Sequence, residues 1–338
     1  MHVVHFQRKP GIFAFSVEGL FQTVRNHLPK NIFCSVVISR YLSRGICRRI
    51  YNILEVVFKQ GDVNHITGDV HYLCYLMHKK RTILTILDCG FTHEATGIRK
   101  HLHWFFWFAI PLKRVAFITV ISEATKKELL KHISFPSEKI LVIPCCVSPV
   151  FHYSASTFNS TRPKILHIGT TARKNILRLA EALKGISCQL EIVGHLTEEQ
   201  ILTLADNRID YTNCMDITEE EMFDKYRACD MLAFVSMYEG FGMPILEANA
   251  TGRPVITSNI LSMPEVSGDS ACLVDPYSVE EIRTGILRII GDSQYREQLV
   301  INGINNARRY SPKLIAQQYA ELYREVYCKP GRGRNSTR

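Results

Sequence analysis

Two glutamates eight residues apart, Glu239 and Glu247, frame the turn Tyr238-Glu239-Gly240-Phe241-Gly242 and a helix start at Met243-Pro244. Carboxylates accept hydrogen bonds in pairs, which suits the vicinal hydroxyls of a ribose or a hexose. Glycines ahead of a helix leave amides free, and with the positive end of the helix dipole they suit an anion such as phosphate. Proline fits such a start because the N–H it lacks would have no partner there. A carboxylate beside an anion site is a conflict unless the two serve different parts of one ligand. The pattern therefore predicts a phosphorylated, hydroxyl-rich ligand, its phosphates on the amides and its hydroxyls on the carboxylates. A second turn supplies cations. Gly169 ends an apolar run, and the stretch from Thr170 to Asn175 places Arg173 and Lys174 before another helix. By itself this turn reads equally well as an exposed basic loop with Asn175 as N-cap, since the G-x-G-x-x-G dinucleotide fingerprint is missing.

The elements that must hold these turns alternate between strand and helix. In the first half, short apolar runs at 2–6, 33–38, 62–66, 82–87, 116–121 and 140–143 are predicted strands, with helical spacing at 16–28, 41–59, 70–79, 98–110 and 123–132. Alternation of this kind implies parallel strands joined by crossover helices, with ligand loops at the carboxyl ends of the strands. Residues 144–163 lack periodicity and carry Pro149, Ser and Thr, as a linker does. The alternation restarts at 164–168 and continues through 189–193, 231–235, 255–257 and 271–274, with capping-box signatures at Thr197/Gln200, Thr218/Glu221 and Ser278/Glu281. The domain expectation is thus 1–150, a linker at 151–163, a second domain at 164–311, a last helix at 312–328 crossing the junction, and a loose basic tail at 329–338. Two doubly wound α/β domains facing across a cleft would give a two-substrate enzyme its donor and acceptor sides.

Composition narrows the class. The chain has 338 residues, 46% of them hydrophobic, and a net charge of +9. Its basic residues are scattered and no nucleic-acid module accompanies them, which argues against a nucleic-acid partner. Eleven cysteines without a C-x-x-C spacing read as reduced thiols, and with no signal-peptide pattern the expected location is cytoplasmic. No apolar run reaches the length of a membrane span. The aromatic run from Trp104 to Phe108 puts Trp104, Trp107 and Phe108 on one helical face, read as core; its alternative is a peripheral contact at the inner membrane face, helped by Arg99, Lys100, Lys113 and Arg114.

With Gly252-Arg-Pro-Val255, Met263-Pro-Glu-Val266 and Arg173-Lys174-Asn175 added to the two glutamates, residues 160–310 resemble the retaining nucleotide-sugar glycosyltransferases of the GT-B fold, the large group four family. In the first half the resemblance rests on Thr85-Ile-Leu-Asp88, Gly97 and Ile121-Ser-Glu-Ala-Thr-Lys126. It implies a hexosyltransferase of polysaccharide or cell-envelope glycan synthesis, taking a sugar from a nucleotide-diphosphate sugar to a glycan, lipid-linked or small-molecule hydroxyl. Glu247 would hold the ribose; Glu239, with the amides of Phe241 and Gly242, the transferred sugar; Lys174 and Arg173 the diphosphate. Gly169, Thr170, Gly240, Met243 and Pro244 complete the donor side, and Glu239 and Asp88 are the expected catalytic residues. Arg8, Gly11 and His65 are assigned to the acceptor side, with His93 a further candidate near Leu87-Asp88, where many family members carry His-Asp. No Asp-x-Asp occurs, so lysine, arginine and helix amides would stand in for a metal, and no cofactor besides the sugar nucleotide is expected. Two other readings compete: a catalytically weak sugar-nucleotide binding protein, and a sugar-nucleotide epimerase of similar fold.

Overall fold

A computed structural model describes residues 1–9, 16–90 and 104–328. Gly11, His93, Gly97, Arg99, Lys100 and the basic tail lie outside the described residues. The chain divides into two compact units, one made of Met1–Pro144 with Pro312–Arg338, the other of Cys145–Ser311.

The first unit is a parallel sheet of β1 (His2–Gln7), β2 (Phe33–Ile38), β3 (Val63–Ile66), β4 (Thr82–Ile86), β5 (Phe117–Val120) and β6 (Ile140–Val142), ordered β2-β1-β3-β4-β5-β6. Among its helices are α1 (Ser16–Asn26), α2 (Ile46–Val57) and α3 (Glu123–Leu130). β1, β3, β4 and β5 are buried along both faces, which explains their near-continuous apolar runs. Two expected helices differ. The one predicted from residue 41 begins at Ile46, because Gly45, at φ +82°, turns the chain before it. That predicted over 70–79 is a short 3-10 stretch, His71–Leu76, four of whose residues are buried.

The second unit contains β7 (Lys164–Ile168), α4 (Ile176–Leu183), β8 (Gln189–Val193), α5 (Glu198–Asp206), β9 (Tyr211–Cys214), α6 (Glu219–Ala228), β10 (Met231–Phe234), α7 (Met243–Thr251), β11 (Val255–Ser258), α8 (Met263–Ser267), β12 (Ala271–Val274), α9 (Val279–Gly291) and α10 (Ser293–Arg309). Its sheet, ordered β12-β11-β10-β7-β8-β9, is parallel throughout. The order reverses between β7 and β10, and a reversal of that kind opens a crevice beyond the carboxyl ends of the two strands. Strand β9 escaped the sequence reading: it is a polar, half-exposed edge strand, and Tyr-Thr-Asn-Cys offers no apolar run. Thr197 and Thr218 close full capping boxes. Ser278 caps the Glu281 amide, but the Glu281 carboxylate instead accepts from the Asp275 amide at 2.9 Å.

The last helix, α11 (Pro312–Cys328), belongs to the first unit. Its Tyr323 hydroxyl lies 2.8 Å from His5 Nε2 on β1 and 2.7 Å from His65 Nδ1 on β3. His65 Nε2 continues to Thr85 at 2.7 Å, and Thr85 to Thr119 at 2.6 Å, so one hydrogen-bonded row crosses five elements of the core. Burial holds both histidines neutral, pushing His65 down to about 3 and His5 well below its ordinary value.

Candidate active site

The two turns, after β7 and after β10, meet at the reversal of the second sheet. β7 is followed directly by Gly169, whose φ of +87° is open to glycine, and a Cβ there would stand 2.8 Å from Lys174 Cε. The missing side chain leaves room for the lysine to fold back over the strand end. Lys174 Nζ then reaches Glu239 Oε1 at 2.7 Å and lies 4.6 Å from the centroid of the Phe234 ring. Both partners are largely shielded, at 16% and 12% side-chain exposure, so this pair is screened far less than a surface one. Arg173 is exposed, and its carbonyl accepts the Met237 amide at 2.7 Å, tying the entry turn to the strand that leads to Glu239.

Asn175 is no N-cap. It sits in the left-handed region at φ 67°, buried, and its side-chain amide donates to the Val235 carbonyl at 3.0 Å and the Pro276 carbonyl at 2.7 Å. A residue that tolerates left-handed backbone and carries two amide donors is required there, which the capping reading missed. Thr170 turns away from Lys174. Its hydroxyl donates to the His195 carbonyl at 2.6 Å, and its own carbonyl accepts from Gln200 Nε2 at 2.6 Å.

The glutamate turn is braced from below. Ser262 Oγ donates to the Glu239 carbonyl at 2.9 Å, and Ser258 Oγ to the Ser236 carbonyl at 2.7 Å. Phe241 is buried, edge-on to Tyr310 with ring centroids 5.8 Å apart. Gly242, at φ 111°, precedes α7, whose first turn holds Met243 and Pro244. The Gly240-to-Gly242 segment is thereby fixed from both ends before any ligand arrives, the preorganisation that electrostatic stabilisation needs.

Glu247, one turn into α7, accepts a hydrogen bond from the Tyr226 hydroxyl at 2.7 Å. Burial pushes its pKa up to about 7; the Tyr226 bond opposes this, Glu219 adds to it, and Lys174 lowers it. Tyr226 is fully buried on α6 and is itself positioned by a group that sequence reasoning overlooked. The guanidinium of Arg253, 2% exposed, donates to the carbonyls of Tyr226 at 2.9 Å, Arg227 at 2.8 Å, Ser154 at 2.9 Å, Thr251 at 3.1 Å and Gly252 at 3.3 Å. The available signal was Phe223 and Tyr226 three apart on an otherwise charged helix.

In the first unit, Arg8 follows β1 at that sheet's own reversal, between β1 and β3, and bonds Glu18 of α1 at 2.8 Å with Asp69 at 3.7 Å. The Glu18 bond raises its already high pKa. Asp88 lies just past β4, its Oδ1 accepting the Gly90 amide at 2.9 Å. His65 does not meet the acceptor-side expectation: it is fully buried with both ring nitrogens bonded inside the core, the position of a structural histidine. Of the aromatic run, Phe108 is buried and Trp104 packs on the core, while Phe105 and Phe106 are about half exposed. A cavity of about 810 Å³ opens at the opposite, amino ends of β3 to β6, bordered by Lys79, Lys80, Arg81, Lys113 and Lys139. Among the described residues no cluster of His, Cys, Asp and Glu is arranged to hold a metal ion.

Comparison with known proteins bears on these turns directly. Residues 152–306, which hold both of them, match the family model described as Glycosyl transferases group 1. Over 96% of the chain the structure superposes on all of the Anabaena Alr3699/HepE protein in complex with UDP and glucose, with a TM-score of 0.77 at 16% identity. The fold is GT-B. By sequence, the chain is 27% identical over 282 residues to the O-antigen chain mannosyltransferase B of Escherichia coli, covering 74% of this chain and 72% of that one. It is 26% identical over 225 residues to the serotype-specific mannosyltransferase WbdA of the same organism, covering 59% of this chain but only 27% of WbdA.

Proposed function

We propose that the protein is a retaining glycosyltransferase that moves a hexose from a nucleoside diphosphate sugar to an acceptor hydroxyl, without a metal. The observation that carries this reading is the Lys174–Glu239 pair beside the fixed Gly240–Gly242 backbone, within the segment that matches the glycosyl transferase family. In this reading Lys174 and Arg173 take charge from the departing diphosphate while Glu239 and the Phe241 and Gly242 amides hold the sugar. Glu247, oriented by Tyr226, accepts the ribose hydroxyls. The anomeric carbon becomes cation-like as the leaving group gains charge, so a cation at the diphosphate lowers the barrier. Attack comes from the same face as departure, with a donor phosphate oxygen accepting the acceptor's proton. Arg8 and Asp88 are assigned to the acceptor. Mannose is the first sugar to test, given the relatives' names, and the acceptor is a cell-envelope glycan or its lipid-linked precursor.

Binding to the folded state raises apparent stability by mass action, so thermal melts against GDP, UDP, ADP and their hexose conjugates identify the donor. One nucleotide series should raise the midpoint clearly, and Glu247→Ala should abolish the shift. No stabilisation by any of the series, or an undiminished one in Glu247→Ala, would remove the ribose assignment. Leu87, standing before Asp88 where many family members carry histidine, favours one second reading, a sugar-nucleotide binding protein with little turnover. Binding without transfer to a panel of acceptors and without donor hydrolysis would favour it.

A further inference from the structure

Helix α2 carries an apolar face that none of the described residues covers. Ile46, Ile50, Leu54 and Phe58 recur every four residues, one stripe along the helix and its C-cap, and are 73%, 50%, 52% and 92% exposed. Tyr51 lies beside them, and Tyr41 and Leu42 extend the patch in the preceding loop, all about two-fifths exposed. The opposite side of the helix, Asn52 and Val56, is buried in the unit. A patch of such residues on a soluble surface marks a place meant to be covered.

The patch is held rigidly. The buried Asn52 side chain donates to the Tyr41 carbonyl at 2.9 Å and accepts the Tyr41 amide at 3.2 Å. Arg49 folds back to bond the Ser43 carbonyl at 2.9 and 3.1 Å, and Ser43 Oγ lies 2.9 Å from the Tyr72 hydroxyl. Loop and helix therefore present their apolar side chains together.

Charge identifies the occupant. Arg40, Arg44 and Arg48 are exposed around the patch, while the single acid of the helix, Glu55, is paired with Lys59 at 2.7 Å. An apolar stripe bordered by arginines is what a helix lying in the interface of an anionic bilayer presents, side chains in the acyl boundary and guanidiniums at the phosphates. A second copy of the chain fits poorly, because a two-fold contact of this patch with itself would bring six arginines together against two acids. We infer that the α2 face docks the protein peripherally on an anionic lipid surface. This concerns the first unit's surface alone and stands whether or not the transfer reading holds.

The test is co-sedimentation of the full chain with vesicles of phosphatidylglycerol and phosphatidylcholine in equal parts, and with phosphatidylcholine alone. Binding should be confined largely to the mixed vesicles and weaken with salt. The doubly substituted Ile50→Glu/Leu54→Glu chain should lose at least ~90% of the bound fraction while keeping its thermal midpoint, since both side chains are exposed. Neutralising Arg40, Arg44 and Arg48 to serine should weaken binding roughly a hundredfold, about fivefold for each arginine removed near the surface. The inference falls if the unaltered chain ignores the mixed vesicles, or if the glutamate variant binds them as well. It falls also if light scattering shows a dimer that the glutamate variant breaks while vesicle binding is unchanged.

Discussion

Lys174 and Glu239 come from turns that follow two adjacent strands, β7 and β10, and close to 2.7 Å at the reversal of the second sheet. A largely shielded pair of this kind is costly to break on one side only, because the remaining charge stays behind without a partner. We expect Lys174→Met and Glu239→Gln each to lower stability by about 2–4 kcal/mol, and the double variant to cost less than their sum by about 1–3 kcal/mol. Urea unfolding of the four proteins measures this. Additive losses would mean the two groups do not act as a pair.

Gly169→Ala should disturb the same pair from the backbone. Left-handed φ costs a residue with a Cβ roughly 1–2 kcal/mol, and the added methyl would push against the lysine stem. Stability should drop by that amount, and nucleotide affinity should fall with it because Lys174 is displaced. Calorimetric titration alongside thermal melts tells the two effects apart; a loss of stability with affinity intact would show that the lysine does not contact the ligand.

With Glu247 holding the ribose as proposed, its raised pKa of about 7 should give nucleotide binding a pH dependence. Only the ionised carboxylate accepts two ribose hydroxyls, so affinity should rise with pH through this value, about tenfold between roughly pH 6 and pH 8. Tyr226 donates to the ionised form, so Tyr226→Phe should move the profile to higher pH rather than merely weaken binding. A flat profile between those limits would exclude Glu247 from the nucleotide site. In the free protein the sign reverses: the folded state holds the proton more tightly than the unfolded chain, and stability from this group falls as pH climbs from 4.5 towards 7.

His5 and His65 act the other way. Both are kept neutral below their ordinary value of 6.5, so the unfolded chain binds more protons and stability is lost as pH falls below 6.5, down to about 3 for His65. The slope should approach about 1.4 kcal/mol per pH unit for each histidine. Tyr323→Phe, which leaves a nitrogen on each ring without its partner, should cost about 1–3 kcal/mol at neutral pH. Acid titration followed by circular dichroism checks both; an unchanged midpoint in Tyr323→Phe would show that water replaces the hydroxyl.

The parallel strands were legible because burial on both faces writes an apolar run into the chain, and the two turns that meet at the second sheet's reversal because glycine, proline and charge coincide there. What stayed hidden was the support beneath them. Arg253 stands in the sequence only as part of Gly252-Arg-Pro-Val255, with no sign of the five carbonyls that converge on it, and nothing points to the Tyr226 hydroxyl against Glu247. Asn175 looked like a cap because asparagine often is one, and its two remote acceptors lie 60 and 101 residues further along. His65 stands in the sequence as a substitute for the histidine that Leu87 replaces, and only the structure shows Tyr323 of α11 taking its ring nitrogen. Long-range partners of single polar groups leave no periodic trace.

The row from Tyr323 through His5 and His65 joins the two ends of the described chain, β1 and α11, inside one core. The second unit is therefore an insertion, continuous in sequence, within a first unit whose last described helix is made only after that insertion. During synthesis residues 145–311 can reach a folded state while the earlier sheet still waits for α11. A stop before residue 312 would thus harm the opposite end of the chain, releasing a sheet whose two buried histidines face an unfilled groove, and leave the nearer unit whole.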